Sequence, residues 1–110
     1  MWSVIRMDEL ITKLNTTSYP FAHYGWSKAP QGDYGVVSET GGNDLTSNDT
    51  HIERGTEGTV DLFTRDDSSA PRIAVETVLN EYGCAWQLNS VQFEEDTGYI
   101  HYEWLVGVYG

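Results

Sequence analysis

The stretch from Arg54 to Gly83 constrains the fold more than any other, because a clear strand pattern comes directly before a clear helix pattern. Within Thr56–Arg65, Val60 and Leu62 fall on one face of an extended chain and charged residues on the other, which predicts a half-buried strand. Phe63 shares the charged face. It is either a scattered surface aromatic, which is the commoner case, or part of a contact surface.

A helix should begin near Ser69 and end at Gly83. The segment DDSSAP offers carboxylates, hydroxyl caps and a proline that a first helical turn accepts. Glycine readily adopts the left-handed conformation that ends many helices. An apolar stripe at helical spacing predicts that this helix lies across a sheet, and it comprises Val75, Val78, Leu79 and Tyr82.

The N-terminal part predicts a helix followed by two strands. Residues 3–15 carry a second helical stripe, formed by Val4, Met7, Leu10, Ile11 and Leu14. The aromatic segment Tyr19–Trp26 should begin the sheet, and Tyr34–Glu39 reads as a short strand. Because Lys28–Asp33 contains the proline and glycine of a turn, we expect these two strands to pair as a hairpin.

The C-terminal part predicts a second hairpin. Trp86 and Leu88 have the opposite parity to Val91 and Phe93, so a bulge near residues 89–90 is needed to bring both pairs to one face. Residues 96–98 form a glycine-containing turn, and the last strand alternates from Ile100 to Val108. The sequence therefore predicts a single α+β domain over residues 1–110, with a mostly antiparallel sheet and two helices packed on one face.

A polar arm interrupts this pattern near residues 40–54. Thr40–Asp49 contains one aliphatic residue among glycines, hydroxyls, amides and acids, so it cannot build core. Long loops within compact domains tend to be functional or disordered, which makes the arm the first place to expect a partner contact. A hairpin tip with no role is the open alternative. The candidate interface residues are Asn43, Asp44, Leu45, Thr46, Asp49, His51, Ile52 and Arg54 in the arm, together with Phe63.

Composition restricts the partners. Seventeen acids against six bases give a formal charge of −11, which disfavours tight nucleic-acid binding. Such a surface would suit a passage through which DNA slides without sticking, although excess acid also simply keeps proteins soluble. Seven Tyr, four Trp and three Phe favour subunit interfaces. We expect no membrane span and a product that is cytosolic at synthesis.

Candidates for catalysis are weak, and we expect neither catalytic residues nor a metal or cofactor. His101 and Glu103 lie two apart on one strand face, and His51 is a further candidate, so a hydrolase stays an alternative. Cys84 follows a helix C-terminus, where the helix dipole raises the pKa of a thiol, so it is a poor nucleophile.

The order of elements and two sequence runs carry a family resemblance. The run THIERGTEGTVDLFTR, followed by SSAPRIAVETVLNEYG, resembles the tail-terminator and tail-completion proteins of siphophages, of the lambda type. The ending VQFEEDTGYIHYEWLVGVYG is similar to the final hairpin of that family. The resemblance covers nearly the whole chain and lies in pattern and size.

The resemblance implies a non-catalytic virion protein that forms a homo-oligomeric ring, commonly a hexamer, on the tail tube. Such a ring ends tail polymerisation and joins tail to head, so its partners are the tail tube protein and the head–tail connector, with DNA only as passing cargo. It implies a location in the tail near the neck, and in the host cytoplasm during assembly. Residues 41–54 are the counterpart of the family's contact loops, and ring packing would use sheet edges and aromatic faces. Alternatives are a head-closure or other minor neck protein, and a small monomeric ligand-binding module.

Overall fold

The chain forms a five-stranded mixed sheet with two helices, described by a computed structural model over residues 7–42 and 55–109. In chain order, the elements are α1 (Met7–Leu14), β1 (Phe21–His23), β2 (Tyr34–Gly42), β3 (Gly55–Thr64), α2 (Ala70–Glu81), β4 (Ala85–Glu94) and β5 (Tyr99–Tyr109). The strand order across the sheet is β1-β2-β3-β5-β4, and all pairs except β1–β2 are antiparallel. The predicted α+β class with a mostly antiparallel sheet is confirmed.

The core lies between the helices and one face of the sheet. Val60 and Leu62 of β3 are fully buried on this face, as their alternation predicts. The described parts of both helical stripes face the same core, with Met7, Leu10 and Leu14 of α1 and Val75, Val78 and Leu79 of α2 buried, and Ile11 and Tyr82 partly buried. Val4 and the predicted start of the first helix lie outside the described residues.

Among the described residues, Trp104 is the largest fully buried side chain, and it joins β5 to α2. Its ring stacks on Tyr102 with centroids 5.6 Å apart. Its indole Nε1 donates a hydrogen bond to Glu76 Oε2 at 3.0 Å, and the same oxygen accepts from Arg72 Nε at 2.9 Å. A buried indole N–H needs a partner, so this contact lets a large apolar ring occupy the core without an unsatisfied donor.

The predicted limits of α2 are confirmed. Ser69 is the residue before the first helical turn, and a proline follows in that turn. Gly83 has a φ of 76°, in the left-handed region, and allows the Cys84 backbone N–H to bond Leu79 O at 3.1 Å.

The predicted hairpin between the first two strands is wrong, because β1 and β2 run parallel. Phe21 pairs with Gly35 and His23 with Val37. Residues 24–33 carry the chain back before β2 begins, and Tyr24 adopts a φ of 71° at the start of that loop. The Phe21 ring lies on the bare backbone of Gly35, where an added Cβ would be 2.1 Å from the ring. The turn signals reverse the chain locally, but they do not determine the direction in which the next strand pairs.

The arm begins later than predicted. Composition predicts a loop over residues 40–42, yet β2 continues through Gly42, which pairs with Thr56. A register shift between Glu39 and Gly41 accommodates the glycine-rich segment, and Thr40 Oγ1 donates to Glu57 O at 3.2 Å. The pairing with β3 thus continues where composition alone indicates a loop. The rest of the arm, residues 43–54, lies outside the described residues.

The bulge predicted in β4 is confirmed, since the register shifts between Leu88 and Ser90. Val91 then pairs with Tyr102 and Phe93 with Ile100, which places both on the helix side. They are nevertheless 50% and 64% exposed, because β4 is the edge of the sheet and the helical layer does not cover this end. Neither helix within residues 7–42 and 55–109 is long and apolar enough to cross a lipid bilayer.

Candidate functional site

The sheet face opposite the helices, here called the outer face, carries the polar and aromatic side chains that the core excludes. Strand alternation places on it Tyr34 and Val36 of β2, Glu57, Thr59, Asp61 and Phe63 of β3, Tyr99, His101, Glu103, Leu105 and Gly107 of β5, and Ala85, Gln87 and Glu94 of β4. Two features stand out on this face, which are an aromatic cluster at one end and a groove at the other.

Four rings form the aromatic cluster. Phe63 stacks between Tyr34, at a centroid distance of 4.9 Å, and His101, at 4.2 Å. Tyr99 meets Tyr34 and Phe63 edge-on at 5.6 and 6.1 Å. Phe63 is therefore not an isolated surface aromatic, because its ring packs against side chains from β2 and β5.

His101 connects this cluster to two carboxylates. Its Nε2 lies 2.8 Å from Asp61 Oδ1 and its Nδ1 lies 3.7 Å from Glu94 Oε2. The hydrogen bond to Asp61 raises the pKa of His101, partial burial opposes the rise, and the charges of Asp61, Glu94 and Glu103 add to it. The imidazolium is thus the form that this site favours, and it ties β5 to both of its neighbouring strands.

Arg65 closes the aromatic end. Its guanidinium lies 4.0 Å from the centroid of the Tyr99 ring, while Nε donates to Thr97 O at 3.0 Å and Nη1 to Gln31 O at 3.1 Å. Asp33 accepts from the Thr64 hydroxyl and, at 3.1 Å, from the Arg65 backbone N–H. These contacts fasten the β1–β2 loop and the β4–β5 turn to the end of β3.

The groove, which has a volume of about 470 Å³, lies at the opposite end of the outer face. It is bounded by residues of β2, β3, β4 and β5, namely Thr40, Glu57, Gly58, Ala85, Trp86, Gln87, Leu105, Val106 and Gly107. Glu57, Gly107 and Ala85 lie side by side in the strand register. Gly107 and Ala85 contribute almost no side chain, so their small size opens the depression.

The residues considered for catalysis are only partly brought together. His101 pairs with Asp61 rather than Glu103, whose Oε1 accepts from Asn89 Nδ2 at 2.8 Å. Thr59 Oγ1 donates to the Asp61 carboxylate at 3.3 Å and not to the imidazole. Activation of a hydroxyl nucleophile by a histidine base needs the hydroxyl to donate to the imidazole, so this arrangement does not provide it. Burial raises the pKa of the Cys84 thiol to about 11. His51 lies outside the described residues.

Within the described ranges, no three His, Cys, Asp or Glu side chains are arranged to hold a metal ion. Of the predicted interface residues, only Phe63 is described; the others belong to residues 43–54. The groove and the Asp61–His101 pair were missed by the sequence reasoning, because both depend on which strands become neighbours.

No model of a known protein family matches this chain, and no curated protein sequence matches it.

Proposed function

We propose that this chain is a non-catalytic structural subunit of a phage tail, which forms a ring that caps the tail tube, ends its polymerisation and joins the tail to the head. The element order supports this proposal. A strand leads into a helix packed on a sheet, and an aromatic-rich hairpin closes the domain, in the order that the resemblance to tail terminators implies.

The main support for a ring is that the two edges of the sheet differ from each other and that both expose apolar side chains. At the β1 edge, Tyr24 is 60% exposed and stacks on His23 at 4.1 Å. At the β4 edge, Val91 and Phe93 are exposed. Contacts between two unlike surfaces of identical subunits repeat head to tail, and they close into a ring when the rotation allows.

Charge is compatible with the same function. A formal charge of −11 weakens adhesion to a phosphate backbone, as the lining of a DNA passage requires. In this proposal the ring, commonly of six subunits, lies near the neck of the virion after assembly in the host cytoplasm. Residues 43–54 contact the tail tube protein or the head–tail connector, and DNA passes as cargo.

Light scattering coupled to size-exclusion chromatography tests the ring. We expect a closed oligomer, or a reversible approach to one with rising concentration. Phe93→Ser and Tyr24→Ser should each reduce the oligomer mass, whereas Ile73→Ser, which alters an α2 side chain 57% exposed, serves as the matched control. A strictly monomeric wild-type protein at all concentrations would contradict the ring.

Genetic complementation of a phage that lacks this protein tests where the subunit acts in the virion. Deleting residues 43–48 should leave the fold intact and abolish head–tail joining, because this polar segment contains a single aliphatic residue, Leu45, and none of the predicted apolar stripes. Electron microscopy of a phage lacking this protein separates the candidates, since a missing terminator leaves tails of uncontrolled length and a missing head-closure protein leaves normal tails unjoined. Normal tails joined to heads by the deleted variant would remove the arm from the mechanism.

A second candidate, a small monomeric ligand-binding module, is favoured by the groove on the outer face. It predicts a monomer in the light-scattering experiment, so the same measurement separates it from the ring.

A further inference from the structure

We propose that the outer-face groove binds a lysine or arginine side chain, presented by an extended basic segment of a partner protein. The groove residues do not include Tyr24, Val91 or Phe93, the side chains assigned to the proposed ring contacts, so the proposal holds whether or not the subunit belongs to a tail.

The shape of the groove follows from one register row. Gly107 lies between Glu57 and Ala85, and in the next row Leu105 lies between Thr59 and Gln87. Leu105 is 40% exposed on the outer face, whereas its neighbours in β5, Trp104 and Val106, point to the helix side and are buried. The floor is therefore a short apolar strip of backbone and aliphatic side chain, and a carboxylate stands at its β3 margin.

A basic side chain matches this chemistry. Lysine and arginine lay an aliphatic stem on apolar surface and extend a charged group to a polar edge. In the groove, the stem would lie on Leu105 and Gly107 while the charged group meets Glu57. A purely apolar side chain would leave this carboxylate partly desolvated without a partner, which is unfavourable.

The rest of the outer face also favours a basic partner. Asp61, Glu94 and Glu103 lie on this face with Glu57. His101 already contacts Asp61 and Glu94, and Arg65 lies at the far, aromatic end over Tyr99. These carboxylates add a long-range attraction for a basic segment that lies along the outer face.

Other occupants fit less well. A nucleic acid would bring phosphates toward four carboxylates. A second copy of this chain carries its own charge of −11, so broad contact through this face would be repulsive. The complementary partner is therefore a basic protein segment.

The test is an NMR titration of the ¹⁵N-labelled full chain with a capped Thr-Lys-Thr-Lys-Thr pentapeptide. A Thr-Glu-Thr-Glu-Thr peptide and a short DNA duplex are the comparison probes. We expect the lysine peptide to shift the amides of Glu57, Ala85, Leu105 and Gly107 at millimolar concentration. The shifts should weaken as salt is added, because partly exposed charges are screened.

Four variants make the test specific. Glu57→Gln removes the charge of the groove and should weaken binding about threefold, as loss of a partly exposed ion pair does. Gly107→Leu fills the groove and should weaken binding at least as much, because the stem loses its place. Glu81→Gln makes the same charge change at an exposed position of α2 and should leave binding unchanged. Gly107→Ala controls for folding, since its Cβ would meet only Ala85 Cβ, at 3.9 Å.

Four results would overturn the proposal. They are the absence of shifts at millimolar lysine peptide, equal shifts with the glutamate peptide or the duplex, shifts confined to the helix side, and undiminished binding by both groove variants.

Discussion

Adding one methyl group at Gly35 should unfold the β1 edge, whereas the same change at Gly107 should stabilise the protein. Both glycines lie inside strands. At Gly35 a new Cβ would sit 2.1 Å from Cε2 and 2.3 Å from Cδ2 of Phe21, a ring that is only 4% exposed. No van der Waals contact tolerates these distances, so the ring must leave its site.

Two contributions set the expected loss of stability in Gly35→Ala. Overpacking a tight core costs about 1–3 kcal/mol, and expelling a buried aromatic side chain loses about 1.5–3 kcal/mol of burial. We therefore expect Gly35→Ala to lower the free energy of unfolding by about 2–3 kcal/mol, which for a domain of this size lowers Tm by roughly 10–15 °C. Gly107→Ala should raise the free energy of unfolding by about 0.5–1 kcal/mol, since it only restricts the unfolded backbone.

Urea unfolding followed by tryptophan fluorescence measures both changes, and a double-mutant cycle identifies the cause. Phe21→Ala removes the ring, so adding Gly35→Ala to that variant should cost little beyond Phe21→Ala alone. If Gly35→Ala leaves the urea midpoint unchanged, or costs the same in both backgrounds, the ring does not lie on Gly35. The parallel register of β1 on β2 would then be refuted.

Three further outcomes can be measured on the same material. Because the pKa of His101 is raised in the folded state, its hydrogen bond with Asp61 stabilises the fold fully below about pH 6.5, and this stabilisation is lost as pH rises through the folded-state pKa. His101→Gln should therefore lower the free energy of unfolding by about 1.5–3 kcal/mol at pH 5.5 and by much less at pH 9. A loss of stability that does not depend on pH would contradict the ion pair. With its pKa raised to about 11 and its side chain buried, Cys84 should react with a thiol reagent at pH 8 only after urea unfolding; rapid reaction of the native protein would show that the thiol is accessible. Val78→Asp should destabilise the domain by several kcal/mol, judged by its melting curve, and an unchanged curve would mean that α2 does not bury Val78.

Local periodicity predicted the parts of the fold that one segment determines by itself. The burial of Val60 and Leu62, the limits of α2 and the bulge near Ser90 follow from alternation, helical spacing and parity within about ten residues. The direction of β1 could not be predicted, because a strand of three residues carries too little pattern to distinguish parallel from antiparallel pairing.

The candidate sites were harder to predict, because they form between strands. Asp61 and His101 are forty positions apart and meet only because β5 lies beside β3. The sequence shows only an acid and a histidine on the polar faces of two distant strands, and nothing in either segment specifies their partner. The groove likewise exists because Gly107 falls opposite Ala85, a match that depends on the hairpin register.

The central position of β3 has a consequence for synthesis of the chain. All ten of its residues pair with β5, where Gly55 lies opposite Tyr109, and residues 56–63 also pair with β2 on the other side. When the nascent chain has emerged only as far as α2, one side of β3 is therefore unpaired. The core also lacks the buried side chains of Trp104 and Val106, which belong to β5. Because such distant pairings close late, the domain should acquire its cooperative stability only once β5 has emerged from the ribosome.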